Sequence, residues 1–198
     1  MTSWPFSDPF LWFQDELQKA VVQKLPEPNA MQLATISPEG FPSVRTVLFK
    51  GFVRGGFAFY TNYESPKARD LQATKKAALN FFWPTMETQI RIEGPVDLQT
   101  RDESEAYFTT RARLSQLGAW ASHQSAEIPG TEWLENRVAE FEEKFRGQDI
   151  PCPPNWGGFR LVPLKFEFWF GRQGRLHERY IFERPQESRL WRTFMKSP

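Results

Sequence analysis

Apolar positions near the start of the chain recur at three- and four-residue intervals: Phe10, Phe13, Leu17, Ala20 and Val21. That spacing puts them on one face of a helix. Asp8 can accept the free N–H groups of the first turn, Pro9 suits the first helical position, and Pro26 and Pro28 stop the segment. The pattern then shifts to short apolar runs bounded by turn residues. Ala30–Ser37 ends at Pro38-Glu39-Gly40, Ser43–Phe52 and Phe57–Asn62 flank Arg54-Gly55-Gly56, and Ala77–Trp83 and Thr88–Leu98 flank Pro84. These read as strands joined by hairpins. Helical patterns interrupt them. Ser65-Pro66-Lys67 opens one running to about Thr74, and Thr100 with Glu103 forms a capping box for another. Thr131 caps a further helix, with Trp133, Leu134, Val138, Phe141 and Phe145 inward and Gly147 at its end. Strands return at Gly158–Phe170, Arg175–Glu183 and Leu190–Phe194. No repeat, low-complexity stretch or long linker appears, so residues 1–198 read as one α+β domain, mainly β, with a barrel core.

Composition narrows the function classes. Nineteen Phe and 8 Trp among 198 residues supply enough apolar surface for a packed core without disulfides. A formal net charge of +1 argues against a protein that coats nucleic acid or a membrane surface. The single cysteine, Cys152, lies in a proline-rich loop and suits a reducing compartment. With one Cys and 2 His, a structural zinc site is nearly excluded. The start Met1-Thr2-Ser3-Trp4-Pro5 shows no basic region followed by an apolar run, and no stretch approaches the ~20 apolar residues of a membrane helix. The expectation is a cytoplasmic protein.

Three clusters are ready for an anion. If Gly174–Tyr180 is a strand, Arg175, His177 and Arg179 share one face, although a solvated strand face gives the same pattern. On a continuous helix, Tyr107, Arg111 and Ser115 form one stripe, in which a phenol, a guanidinium and a hydroxyl can all donate to a phosphate; an exposed polar stripe is the plainer reading. Arg45 through Lys50, Tyr60-Thr61-Asn62 and Ser65-Pro66-Lys67 form the third cluster, where a helix N-terminus meets a lysine. Ordinary helix capping would also place Ser65 and Pro66 there. Three such clusters in a near-neutral chain point to one or two phosphate-bearing ligands.

Taken together, Arg45-Thr-Val-Leu-Phe-Lys50, Phe59-Tyr-Thr-Asn62, Gln89, Tyr107-Phe-Thr-Thr-Arg111, Ser115-Gln-Leu-Gly-Ala-Trp120, Gln124-Ser125, Trp156-Gly-Gly158, Glu167-Phe-Trp169 and Arg175-Leu-His-Glu-Arg179 resemble the pyridoxine/pyridoxamine 5′-phosphate oxidase family. The resemblance runs from about Asp8 to Pro198 with the motifs in order. It implies an FMN-binding split β-barrel with peripheral helices, assembled as a homodimer with FMN in clefts between subunits. By matching positions, Arg45, Lys50, Tyr60, Thr61, Lys67 and Gln89 of one subunit would hold FMN. Gln124, Ser125, Trp169 and Arg179 would reach it from the other. Lys50, Tyr107, Arg111 and Ser115 would grip the substrate phosphate, with Arg175 and His177 over the pyridine ring as catalytic residues. The implied reaction oxidises pyridoxamine or pyridoxine 5′-phosphate to pyridoxal 5′-phosphate, with oxygen as acceptor and hydrogen peroxide as product.

Several positions depart from the family's pattern. Pro66 stands where relatives commonly have Arg, which predicts weaker FMN retention. Trp4 and Phe6 occupy the place of a longer basic arm, Met195-Lys196 replaces Arg-Leu, and Glu27 replaces Asp. Two other readings fit the same residues: an FMN oxidase of another ring, as in phenazine pathways, and a protein that binds FMN or pyridoxal phosphate without turnover.

Overall fold

The computed structural model describes residues 4–198; Met1–Ser3, part of the start read above for a leader, lie outside the described residues. Helix α1 spans Pro9–Val22, and the Asp8 carboxylate accepts from the Phe10 amide at 2.9 Å. Its buried face carries Trp12, Phe13, Glu16 and Ala20. Ten antiparallel strands follow, with helices between them: β1 (Ala30–Ile36), β2 (Pro42–Leu48), β3 (Phe52–Val53), β4 (Gly56–Asn62), α2 (Pro66–Thr74), β5 (Lys76–Trp83), β6 (Thr88–Leu98), α3 (Arg101–Thr109), α4 (Arg113–Ala121), α5 (Thr131–Lys144), β7 (Trp156–Leu161), β8 (Lys165–Phe170), β9 (Glu178–Glu183) and β10 (Arg192–Met195). No helix among the described residues is long and apolar enough to cross a membrane.

The sheet runs β10-β9-β8-β6-β5-β1-β2, and β4 joins β3 to β7. Strand β6 divides its length: Thr88–Glu93 pairs with β8, whereas Val96–Leu98 pairs with β7. That change of partner curls the sheet into a split barrel. Gly94 sits at the division, where a Cβ would lie 2.0 Å from the Val162 carbonyl oxygen, so only glycine permits the approach. Inside the curl, Phe13 meets Phe57 and Phe81 edge-on, both at 4.8 Å. Phe59, Phe166, Phe168 and Phe182 are also fully buried. Each such side chain stabilises the fold by roughly 1.5–3 kcal/mol through area removed from water. Trp4 and Phe6 close this core, Trp4 edge-on to Phe182 at 5.1 Å and Phe6 stacked on Trp12 at 6.0 Å.

Several expected elements are shorter or divided. Ser43–Phe52 breaks at Phe49–Gly51, where Gly51 has φ +93° and the Phe49 amide turns to the Asn29 carbonyl. Gly158–Phe170 becomes β7 and β8 because Pro163, which has no amide donor, lies in the connection. Leu190–Phe194 is reduced to β10. Helix α5 begins at Thr131 itself, with Gly130 in the capping position, and only Phe145 of its expected inward residues is buried. A second small core of Phe108, Leu117, Phe145, Ile150 and Trp156 fixes α3–α5 against β7.

Candidate active site

A cleft of about 550 Å³ opens between β2, β4, the α3–α4 junction and Trp156. Lys50, Tyr60, Thr61, Lys67, Tyr107, Arg111, Ser115 and Gln124 all line it. Tyr107, Arg111 and Ser115 do not ride one helix, as the spacing predicted. Helix α3 ends at Thr109, and α4 starts at Arg113. The Thr110 hydroxyl donates back to the Tyr107 carbonyl at 2.7 Å, and the Gln116 amide reaches the Phe108 carbonyl at 2.9 Å. Side chains thus take the carbonyls that a continuing helix would use. The break still delivers all three residues to one cleft, with Arg111 in the connection.

Arg111 is the decisive group. Its guanidinium lies 4.7 Å over the Trp156 ring and 5.6 Å over Phe108, and its Nη1 is buried with no hydrogen-bond partner. Burial pushes its pKa down, yet a guanidinium stays charged at neutral pH. A buried, charged, unpaired donor is costly unless an anion completes it. Around it, Tyr60 stacks on Tyr107 at 3.8 Å and on Trp156 at 5.4 Å. The Tyr60 hydroxyl donates to Gln99 Oε1 at 3.0 Å, and burial raises its pKa.

At the other end of the cleft, Lys67 Nζ donates to Thr61 Oγ1 at 3.2 Å and to Gln124 Oε1 at 3.1 Å. Burial and the nearby Arg45 charge both lower its pKa. Arg45 does not line the cleft; its Nη1 is held by Thr35 Oγ1 at 2.7 Å and by the Leu33 and Ser43 carbonyls. Lys50 is exposed at the cleft wall. Ser125 has φ +68° and lines a neighbouring cleft with Gln124, Pro66 and Arg69.

The remaining predicted residues gather elsewhere. Gln89, Trp169 and Arg179 are direct cross-strand neighbours on β6, β8 and β9. Arg179 donates to the buried Glu167 carboxylate at 2.9 Å, and Arg91 lies 3.6 Å from its other oxygen. The expected period-two stripe of Arg175, His177 and Arg179 is absent, because Arg175 closes a short 3-10 turn at φ +61° and β9 begins only at Glu178. His177 packs on Trp169 at 4.6 Å, and its Nδ1 accepts from the Arg172 amide at 3.1 Å. The neutral imidazole therefore carries its proton on Nε2. None of these five residues lines the cleft of their own chain.

Comparison with known proteins identifies the architecture. Residues 17–145 match the family model described as pyridoxamine 5′-phosphate oxidase, and residues 156–198 match the pyridoxine 5′-phosphate oxidase C-terminal dimerisation region. The chain belongs to the pyridoxamine 5′-phosphate oxidase family. A pyridoxine/pyridoxamine 5′-phosphate oxidase of Bdellovibrio bacteriovorus is 51% identical over 191 residues, covering 96% of this chain and 97% of that one. One from Rubrobacter xylanophilus is 48% identical over 94% of this chain and 83% of its own length. Among solved structures, PhzG from Burkholderia lata 383, in complex with tetrahydrophenazine-1-carboxylic acid, superposes with a TM-score of 0.91 at 32% identity, over 98% of this chain and 94% of that one.

Within this family frame the donor set fits phosphate-bearing ligands, on the evidence of the orphaned Arg111 Nη1 and the two like charges of Arg45 and Lys67. The row Gln89–Trp169–Arg179 lies largely in the segment that matches the dimerisation region. Gln124, which the resemblance put across a subunit boundary, lines the cleft of its own chain and bonds Thr61 and Lys67 there. Pro66 is exposed at the first position of α2. Sequence reasoning did not assign roles to Trp156, Gln99 or Glu167. Trp156 and Glu167 sat inside the quoted motifs, but only the packing shows that they support Arg111 and Arg179.

Proposed function

We propose that the protein is an FMN-dependent oxidase that converts pyridoxamine or pyridoxine 5′-phosphate to pyridoxal 5′-phosphate. The observation that carries the reading is the buried, unpartnered Arg111 Nη1 in a cleft shared with Lys50, Tyr107 and Ser115. Bound FMN would supply the redox chemistry, accepting a hydride equivalent from C4′ of the substrate and passing electrons to oxygen to give peroxide. The chain's own residues bind and orient. Arg111, Tyr107, Ser115 and Lys50 grip the substrate phosphate and so fix the position of the ring. Arg45, Lys67, Thr61, Tyr60 and Gln124 hold the cofactor from one subunit of a homodimer. Trp169 and Arg179 reach it from a second copy, in line with the dimerisation region and with their absence from the cleft of their own chain. Gln89, which the resemblance put with the first subunit, lies beside Trp169 across β6 and β8 and goes with them. Arg175 and His177 cover the substrate ring, where His177 presents Nε2–H as a donor. The single cysteine accords with a reducing, cytoplasmic setting.

The test is to mix purified protein with FMN and pyridoxamine 5′-phosphate in air. Pyridoxal phosphate, ammonia and peroxide should appear together; binding without turnover would show a carrier protein instead. The PhzG likeness favours a second reading, an oxidase of a carboxylated polycycle. Inorganic phosphate should inhibit the first activity by competing at Arg111, whereas a phosphate-free substrate would be less affected.

A further inference from the structure

Arg45 is tied down at one nitrogen only. Its Nη1 donates to Thr35 Oγ1 at 2.7 Å and to the Leu33 and Ser43 carbonyls, both at 3.2 Å, while Nε and Nη2 have no partner among the described residues. Thr35 is fully buried, and its hydroxyl donates to Asp70 Oδ2 at 2.7 Å. Having given its proton to Asp70, the Thr35 oxygen can only accept, and Arg45 is the donor that meets it. Asp70 is itself buried on α2 and forms no direct ion pair with a cation among the described residues. Its charge therefore acts on Arg45 through an intervening hydroxyl of fixed polarity. The same helix carries Lys67 one turn earlier, close enough for the Arg45 charge to be felt there. A direct Asp70–Arg45 pair would consume the guanidinium edge that an anion needs. The relay anchors the side chain without consuming it.

We propose that Thr35 and Asp70 are positioning residues that fix Arg45 by Nη1 and keep its Nε and Nη2, beside Lys67, for the phosphate of the flavin. This rests on the FMN reading above.

The experiment titrates flavin-stripped full-length protein with FMN, and separately with riboflavin, which lacks the phosphate, following quenching of flavin fluorescence. Thr35→Val, close in shape but unable to accept, should raise the FMN Kd by about tenfold. Riboflavin binding should stay within about twofold, since the affected contact is to phosphate. Thr35→Ser should restore FMN affinity, and Asp70→Ala should reproduce the valine phenotype from the helix side should that variant fold poorly. Equal weakening of FMN and riboflavin would mean a general loss of structure and would overturn the proposal. If Arg45→Ala weakens FMN but neither Thr35→Val nor Asp70→Ala does, Arg45 needs no positioning and the proposal fails alone. If Arg45→Ala has no effect, its assignment to the cofactor falls as well.

Discussion

The cleft and the outer face of the β6–β8–β9 sheet both collect arginine and lysine, but they treat the charge in opposite ways. In the cleft, Lys50, Lys67 and Arg111 have no ion-pair partner among the described residues, and Arg111 Nη1 has no hydrogen-bond partner either. On the outer face, Arg91 and Arg179 share the buried Glu167, and Arg172 pairs with Glu178. Unpaired cations held close together store an electrostatic cost that only an incoming anion relieves. Paired cations are already satisfied, so what they contribute is a fixed direction. On the proposed reading, the comparison separates a surface that would receive phosphate from one that would present side chains to a second copy.

Removing the unpaired charge should have the largest effect. Arg111→Ala is expected to lower kcat/KM for the phosphorylated substrate by about a hundredfold or more, mainly through KM, because a buried charge-assisted contact is worth roughly 1.5–3 kcal/mol or more. Steady-state kinetics at saturating FMN would show it. An unchanged KM would remove Arg111 from the phosphate grip and leave its orphaned nitrogen unexplained.

On the outer face the corresponding change acts on stability. Glu167→Gln removes the charge that holds Arg179, whereas Arg91, 3.6 Å from it, keeps its closer partner Glu93 at 2.9 Å. Because both arginines keep partial contact with solvent, with side-chain exposures of 42% and 25%, the expected cost is about 2 kcal/mol rather than that of a fully buried pair. Thermal melting of the flavin-free protein should fall by roughly 4–8 °C. A melting temperature within a degree of the parent would show that Arg179 is held by the C-terminal Ser197 carbonyl, at 3.0 Å, rather than by Glu167.

The two regions also differ in how far the sequence reveals them. Local signals were legible: Asp8 before Pro9 does cap α1, and Thr100 with Glu103 does form a reciprocal capping box on α3. Arg111 could be picked out from its four-residue spacing with Tyr107 and Ser115, and Lys67 from its place beside a helix N-terminus. The helical stripe through Arg111 misled on backbone, since Thr110 and Gln116 side chains compete for its carbonyls, yet the three residues still converge. The outer face was harder. Its row depends on the β6–β8–β9 register, a long-range property that no local pattern encodes. The turn at Gly174-Arg175, where both residues have positive φ, hid the start of β9 because arginine rarely adopts that conformation. Glu167, in the motif Glu167-Phe-Trp169 but without an assigned role, gains one only from its two arginine partners.

The smallest expected effect tests whether the unpaired set is one cation short. Pro66 opens α2 next to Lys67, and the Ser65 hydroxyl donates to the Asn62 carbonyl instead of capping the helix. Arginine fits this position, since the first helical amide has no intrahelical acceptor and side chains there are exposed. Pro66→Arg should tighten FMN binding by about three- to tenfold at low salt, with little change for riboflavin. Raising the ionic strength should shrink the gain, because an exposed guanidinium is screened as a buried one is not. Melting should change by less than about 1 kcal/mol, the proline's fixed φ being a modest loss at a helix start. If the FMN Kd stays constant across both salt concentrations, the cleft already neutralises the phosphate without that arginine. The cations it has, Arg45 and Lys67 foremost, would then be sufficient.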